Sequence, residues 1–133
     1  MIEVKMKYIL IISFVWISFQ ASGQKISRSD LLGCWTDSRE ENTPGSNVWI
    51  NRPCDYKVFP PLRFRFLMDL KGDSTCSWLH FSEYDGHYMV NGKWSFNEET
   101  KELRLFDLQG KESLKFTIQE SGEEILKIKN RGQ

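Results

Sequence analysis

Leu31-Leu32-Gly33-Cys34-Trp35 heads the part of this sequence that reads as a folded domain, and the rhythm that follows it decides the fold. Beyond residue 61 the chain alternates with period two. Leu62, Phe64, Phe66, Met68 and Leu70 share one face, while Arg63, Arg65 and Asp69 share the other. That alternation marks a strand with one buried side, since successive side chains on a strand point to opposite faces. Lys71-Gly72-Asp73-Ser74 then reads as a turn. Residues 75–81 form the next strand, with Trp78, Leu79 and Phe81 making both faces partly apolar, and residues 82–86 turn the chain again.

Asn91-Gly92 resembles a two-residue hairpin turn. A turn there would set Val90 opposite Lys93 and Tyr88 opposite Ser95, mixing the faces. One continuous strand instead aligns Tyr88, Val90, Gly92, Trp94 and Phe96, so Gly92 is expected to be a bulge or a point of close backbone approach. After a turn at residues 97–101, Leu103 and Leu105 open a new alternation. Leu114, Phe116 and Ile118 form another, and Leu126 and Ile128 the last. No segment beyond residue 23 has a persuasive helical period. The expectation is all-β: an antiparallel up-and-down meander of about seven to eight strands closing into a small barrel.

Residues 37–61 break the rhythm. They hold Pro44, Gly45, Pro53, Pro60 and Pro61, with one short apolar patch at Val48-Trp49-Ile50. A stretch of this length is a functional loop or is disordered, and Trp49, Tyr56 and Phe59 would gain from packing. A lid-like loop between the first and second strands is expected, with a short strand around Trp49.

Upstream, residues 8–19 are uniformly apolar and follow Lys5 and Lys7, with Ala21, Ser22 and Gly23 behind them. The run is too short to cross a bilayer, which takes about 20 apolar residues. A basic start, a short apolar core and small residues describe a secretory signal peptide over residues 1–23, leaving Gln24 first. Met6-Lys7 is an alternative start. Leu-x-Gly-Cys at residues 31–34 also matches a lipoprotein processing box, but the polar run Gln24-Lys25-Ile26-Ser27-Arg28-Ser29-Asp30 separates Cys34 from the apolar core. Tethering through Cys34 fails on that spacing. The expected domain is therefore 24–133, exported and without a membrane span once the leader is removed.

Without Lys5, Lys7 and Glu3 the domain has 16 basic and 17 acidic side chains, which excludes the basic excess that nucleic acid demands. Three cysteines, Cys34, Cys54 and Cys76, allow one disulfide in an oxidising compartment and leave one thiol. All three pairings stay open, as does no bridge at all, because buried cysteine packs as a small hydrophobe. A Cys34–Cys54 link would close a loop of about 20 residues, worth roughly 3 kcal/mol in the chain-entropy picture.

Gly33-x-Trp35 on the first strand, the long first connection, the run of hairpins and Gly92-x-Trp94 together resemble the lipocalin-like (calycin) superfamily, especially small secreted bacterial members. The resemblance covers residues 31–130. It implies that Trp35 packs across the closed end of a barrel under a basic side chain near the last strand, here Arg131 or Lys129. The Thr-Asp-x-Tyr motif of larger lipocalins is not evident, since Asp55-Tyr56 lies in another region.

Small eight-stranded barrels fill their interior or hold one small ligand. The many large inward candidates favour filling. Phe64, Trp78, Tyr88 and Trp94 are the candidates to line a pocket, which would open beside residues 37–61. Arg63 and Arg65 read as a solvated face, or as an anion site because guanidinium forks match carboxylates. His80 and His87 are the only histidines, and no nucleophile elbow, metalloprotease helix or phosphate loop appears. Cys76 and His80 share a face with Trp78 between them but lack a third metal ligand. Glu83, Asp85, Glu98 and Glu99 sit in turns where water solvates them. No catalytic residue, metal or cofactor is expected. The expectation is a secreted or periplasmic, non-enzymatic protein that binds a small apolar or amphipathic molecule. The alternative is a protein-binding module, such as an extracytoplasmic protease inhibitor, using residues 24–30 and 37–61.

Overall fold

The computed structural model of the protein describes residues 25–82 and 86–132, with side chains through Lys129. The signal peptide expected at 1–23 lies outside the described residues, as do Glu83, Asp85 and the side chain of Arg131. Eight antiparallel strands close into one barrel: β1 (Gly33–Asp37), β2 (Val48–Pro53), β3 (Leu67–Leu70), β4 (Thr75–Ser82), β5 (Gly86–Asn97), β6 (Glu102–Asp107), β7 (Glu112–Ser121) and β8 (Leu126–Gly132). The helical pieces among the described residues are two short 3-10 turns, Arg28–Leu31 and Arg39–Glu41.

From β3 to β8 the barrel is a strict meander, each strand pairing with the next. The seam differs. β1 pairs with both β2 and β3, and β2 pairs with β8, so β1 sits between its two successors. Both β2 and β3 run antiparallel to β1 and therefore point the same way. The segment joining them, residues 54–66, must travel back along the barrel to start β3, and forms a strap. This corrects the lid expected over residues 37–61. The patch around Trp49 is a full barrel strand, with Trp49 opposite Ile128 and Asn51 opposite Leu126.

The strap also shortens the strand expected from Leu62. Only Leu67–Leu70 is strand. β1 ends at Asp37, whose N–H donates to the Phe66 carbonyl at 2.9 Å, so residues 62–65 have no β1 backbone left to pair with. The strap is held at both ends instead. A Cys34–Cys54 disulfide ties its start to β1, leaving Cys76 as a buried thiol. At its far end Arg65 donates to both Glu40 oxygens, to the Asp37 carbonyl and to the Pro60 carbonyl.

β5 is continuous through Asn91-Gly92, and Gly92 is a point of close approach. A β-carbon there would fall 1.9 Å from the Phe106 carbonyl oxygen and 2.9 Å from the Trp78 ring. Gly33 is needed for a different reason: its φ of +117° belongs to a region that L side chains rarely adopt, with open space around it.

One barrel end is closed by the segment before β1. Ile26 and Leu31 are buried in the core, and the Asp30 carboxylate accepts the Ser27 N–H at 2.9 Å to fix the turn. Trp35 is buried and its indole N–H donates to the Leu31 carbonyl at 3.0 Å. Of the two basic residues expected over Trp35, Arg131 has its side chain outside the described residues, and Lys129 does not take that place. Lys129 alternates with the buried Ile128 and so faces away from the interior. A guanidinium does cap this end, but it is Arg28 over the Trp94 ring, 4.2 Å from the centroid. Leu70, Leu103, Ile118 and Leu126 fill the core.

Candidate functional site

The opposite end is not filled. A cavity of about 420 Å³ opens there, within the size range of small-ligand sites. Its shape follows from strand lengths. The β4–β5 ladder continues to the Ser82/Gly86 pair, whereas the β5–β6 ladder stops at Gly92/Asp107. The β4–β5 hairpin therefore stands beyond its neighbour as a two-stranded ribbon. His80, Phe81 and Tyr88 on that ribbon form one wall of the cavity, and Asp107, Ser113 and Leu114 around the β6–β7 turn border it too.

The deeper lining is aromatic. Phe66, Trp78 and Phe116 are buried, with the Phe66 and Phe116 rings 5.8 Å apart. Phe64 joins strap to ribbon, its ring 5.4 Å from Phe81 and 5.0 Å from His87. His87 fastens the same junction through Nε2, 2.8 Å from the Arg63 carbonyl oxygen. The imidazole of His80 lies 5.0 Å from the Tyr88 ring. These contacts hold the mouth of the cavity in shape.

Among the described residues Asp107 is the one carboxylate in the lining, and no lysine or arginine joins it there. Its Oδ1 accepts the backbone N–H groups of Gln109 at 3.0 Å and Lys111 at 2.9 Å, which fixes the side chain in the β6–β7 turn. Oδ2 has no partner among the described residues.

Of the four pocket candidates named from sequence, Phe64, Trp78 and Tyr88 meet in this cavity. Trp94 does not. It is buried at the closed end, where its indole N–H donates to the Lys71 carbonyl at 2.9 Å. Parity assigns Trp94 to the same face as Tyr88 but is silent on height, and six residues of strand separate the two by ~20 Å. Tyr88 is half exposed at the mouth rather than packed in the core. Asp107 carried a legible signal, since it continues the inward parity of Leu103 and Leu105. Ser113 carried none, because a register shift at Leu105/Phe106 interrupts the β6–β7 ladder.

The remaining candidates lie elsewhere. Arg65 is neither a solvated residue nor open to an anion: its side chain is largely buried in the ion pair with Glu40. Arg63 is exposed. Cys76 is buried low in the barrel, pairing with Leu70 and Gly92, and burial pushes its thiol up to about 11. It stands four strand residues from His80, ~13 Å along β4. Among the described residues no group of three or more His, Cys, Asp or Glu is placed to hold a metal ion. Glu98 accepts the Arg28 backbone N–H at 3.3 Å, and Glu99 is exposed. No described helix is long and apolar enough to cross a membrane. Comparison of the chain with protein-family models, with curated proteins and with solved structures gives no match.

Proposed function

We propose that this chain is an exported, non-enzymatic member of the lipocalin-like barrels that carries a small apolar or amphipathic molecule in the cavity between the strap and the β4–β5 ribbon. The observation that carries the reading is the asymmetry of the barrel: one end is plugged by Ile26, Leu31 and the Arg28–Trp94 stack, while the other holds an aromatic-lined space of about 420 Å³. A barrel built only for stability gains nothing from leaving that volume unfilled, because lost packing contacts weaken a core. Export, to the periplasm or the exterior, is supported by the leader-like residues 1–23 and by the Cys34–Cys54 disulfide, which suits an oxidising compartment.

The test is a titration with the neutral fluorophore N-phenyl-1-naphthylamine. Saturable 1:1 binding is expected, weakened at least tenfold in Leu114→Trp, which fills the cavity from a half-buried position. Non-saturable binding, or equal affinity in the variant, removes the reading.

A second reading, a protein-binding module such as a protease inhibitor, has one observation in its favour: Val58 in the strap is 98% exposed beside the part-exposed Tyr56. Inhibition of an extracytoplasmic protease that is lost in Val58→Asp would favour it. Equal inhibition in the variant, or none, would exclude this version.

A further inference from the structure

We infer that the molecule held in this cavity carries a positively charged head group, an organic ammonium seated against Asp107. The inference rests on the small-ligand reading above and adds the charge of the occupant.

Three observations converge on it. First, among the described residues the lining has a single carboxylate, one imidazole (His80) and neither lysine nor arginine, so a bound carboxylate or phosphate would meet Asp107 with no lysine or guanidinium beside it. Second, Arg65, which follows the cavity residue Phe64, is committed: its two terminal nitrogens donate to Glu40, the Asp37 carbonyl and the Pro60 carbonyl. No fork remains there for an anionic ligand. Third, the walls supply six carbocyclic rings, from Phe64, Phe66, Trp78, Phe81, Tyr88 and Phe116. Aromatic faces attract cations through their quadrupoles, and more strongly where water is displaced. Asp107 is well suited to finish such a site. Two backbone N–H groups hold its Oδ1 and fix the carboxylate, while Oδ2 stays available to a charge-assisted contact.

The experiment compares three probes of one shape on the purified protein by calorimetry: benzyltrimethylammonium, its neutral isostere neopentylbenzene, and the anion phenylmethanesulfonate. The expected result is that the ammonium binds at least tenfold more tightly than the neutral probe and the sulfonate does not bind measurably. In Asp107→Asn, which keeps an Oδ1 acceptor for the turn, the ammonium should fall toward the neutral probe while the neutral affinity holds. Tyr88→Leu, which keeps bulk but removes a π face, should likewise weaken the ammonium selectively. Equal affinity for ammonium and neutral probes, or tighter binding of the sulfonate, overturns the charge assignment and leaves the cavity reading standing. Failure of all three probes overturns both.

Discussion

The α-carbon of Gly92 on β5 faces the Phe106 carbonyl of β6 so closely that a methyl group there would sit 1.9 Å from the oxygen. Backbone, not a yielding side chain, is the obstacle, and Trp78 closes the other side. Gly92→Ala is therefore expected to cost about 3 kcal/mol or more, as overpacking against rigid structure does. For a domain of this size the melting temperature should fall by more than about 10 °C. An unchanged thermal melt would contradict the close approach.

Arg28 covers Trp94 at the closed end and also donates to Ser74 Oγ at 2.8 Å. Arg28→Ala removes a cation–π contact, a hydrogen bond and the packed stem, and is expected to destabilise the protein by about 1–2 kcal/mol. Arg28→Lys should recover only part of the loss, since an ammonium lacks the flat guanidinium surface. Urea unfolding of the three proteins orders them, and equal midpoints would show that the stack adds nothing.

The strap is anchored by a covalent bond at Cys34–Cys54. Replacing both cysteines by serine should lower stability by about 3 kcal/mol, the loop-closure term for the 20-residue separation. Cys76 gives an internal check: its buried thiol, pushed up to about 11, should resist a thiol reagent at pH 8 in the native protein and react on unfolding. Rapid native labelling would show that the barrel opens around β4.

Glu40 and Glu41 report on the loop between β1 and β2. The hydrogen bond from Arg65 holds the Glu40 carboxyl down to about 2, and hydrogen bonds from Arg52, then Ser38, do the same for Glu41. Folded values below the unfolded ones mean that the contribution is fully present above pH ~4.5 and is lost as pH falls through about 2. Both carboxylates are about a third exposed, so about 1 kcal/mol each at neutral pH is the expected scale. The double variant Glu40→Gln, Glu41→Gln should be less stable than the parent at pH 6 and converge with it near pH 2. Parallel stability curves across that range would refute the linkage.

Much of the barrel was legible because one face of most strands meets the core and the other meets water. Leu103/Leu105, Leu114/Phe116/Ile118 and Leu126/Ile128 alternate cleanly and lie where that alternation puts them. Parity also decided against a turn at Asn91-Gly92. Three features escaped it, each for a physical reason. β2 has the polar Asn51 at a buried position, its amide reaching the Trp49 and Leu126 carbonyls at 3.4 Å, so the strand lacks an apolar stripe. Residues 62–65 alternate like a strand but do not form one, because pairing depends on where β1 stops. The cavity reads from sequence as surplus core: Trp78 and Trp94 look alike until the height of each along the barrel is known.

The seam between β2 and β8 joins residues 48–51 to residues 126–129. The ring therefore cannot seal while the later hairpins are still unmade, however well the early ones have formed. Bringing together segments so distant in the chain is entropically slow, and refolding on the millisecond-to-second scale follows. The β1–β2 hairpin, its open ends joined by the Cys34–Cys54 link, draws only on residues 33–54 and is local enough to form first, an early template onto which the final strand docks.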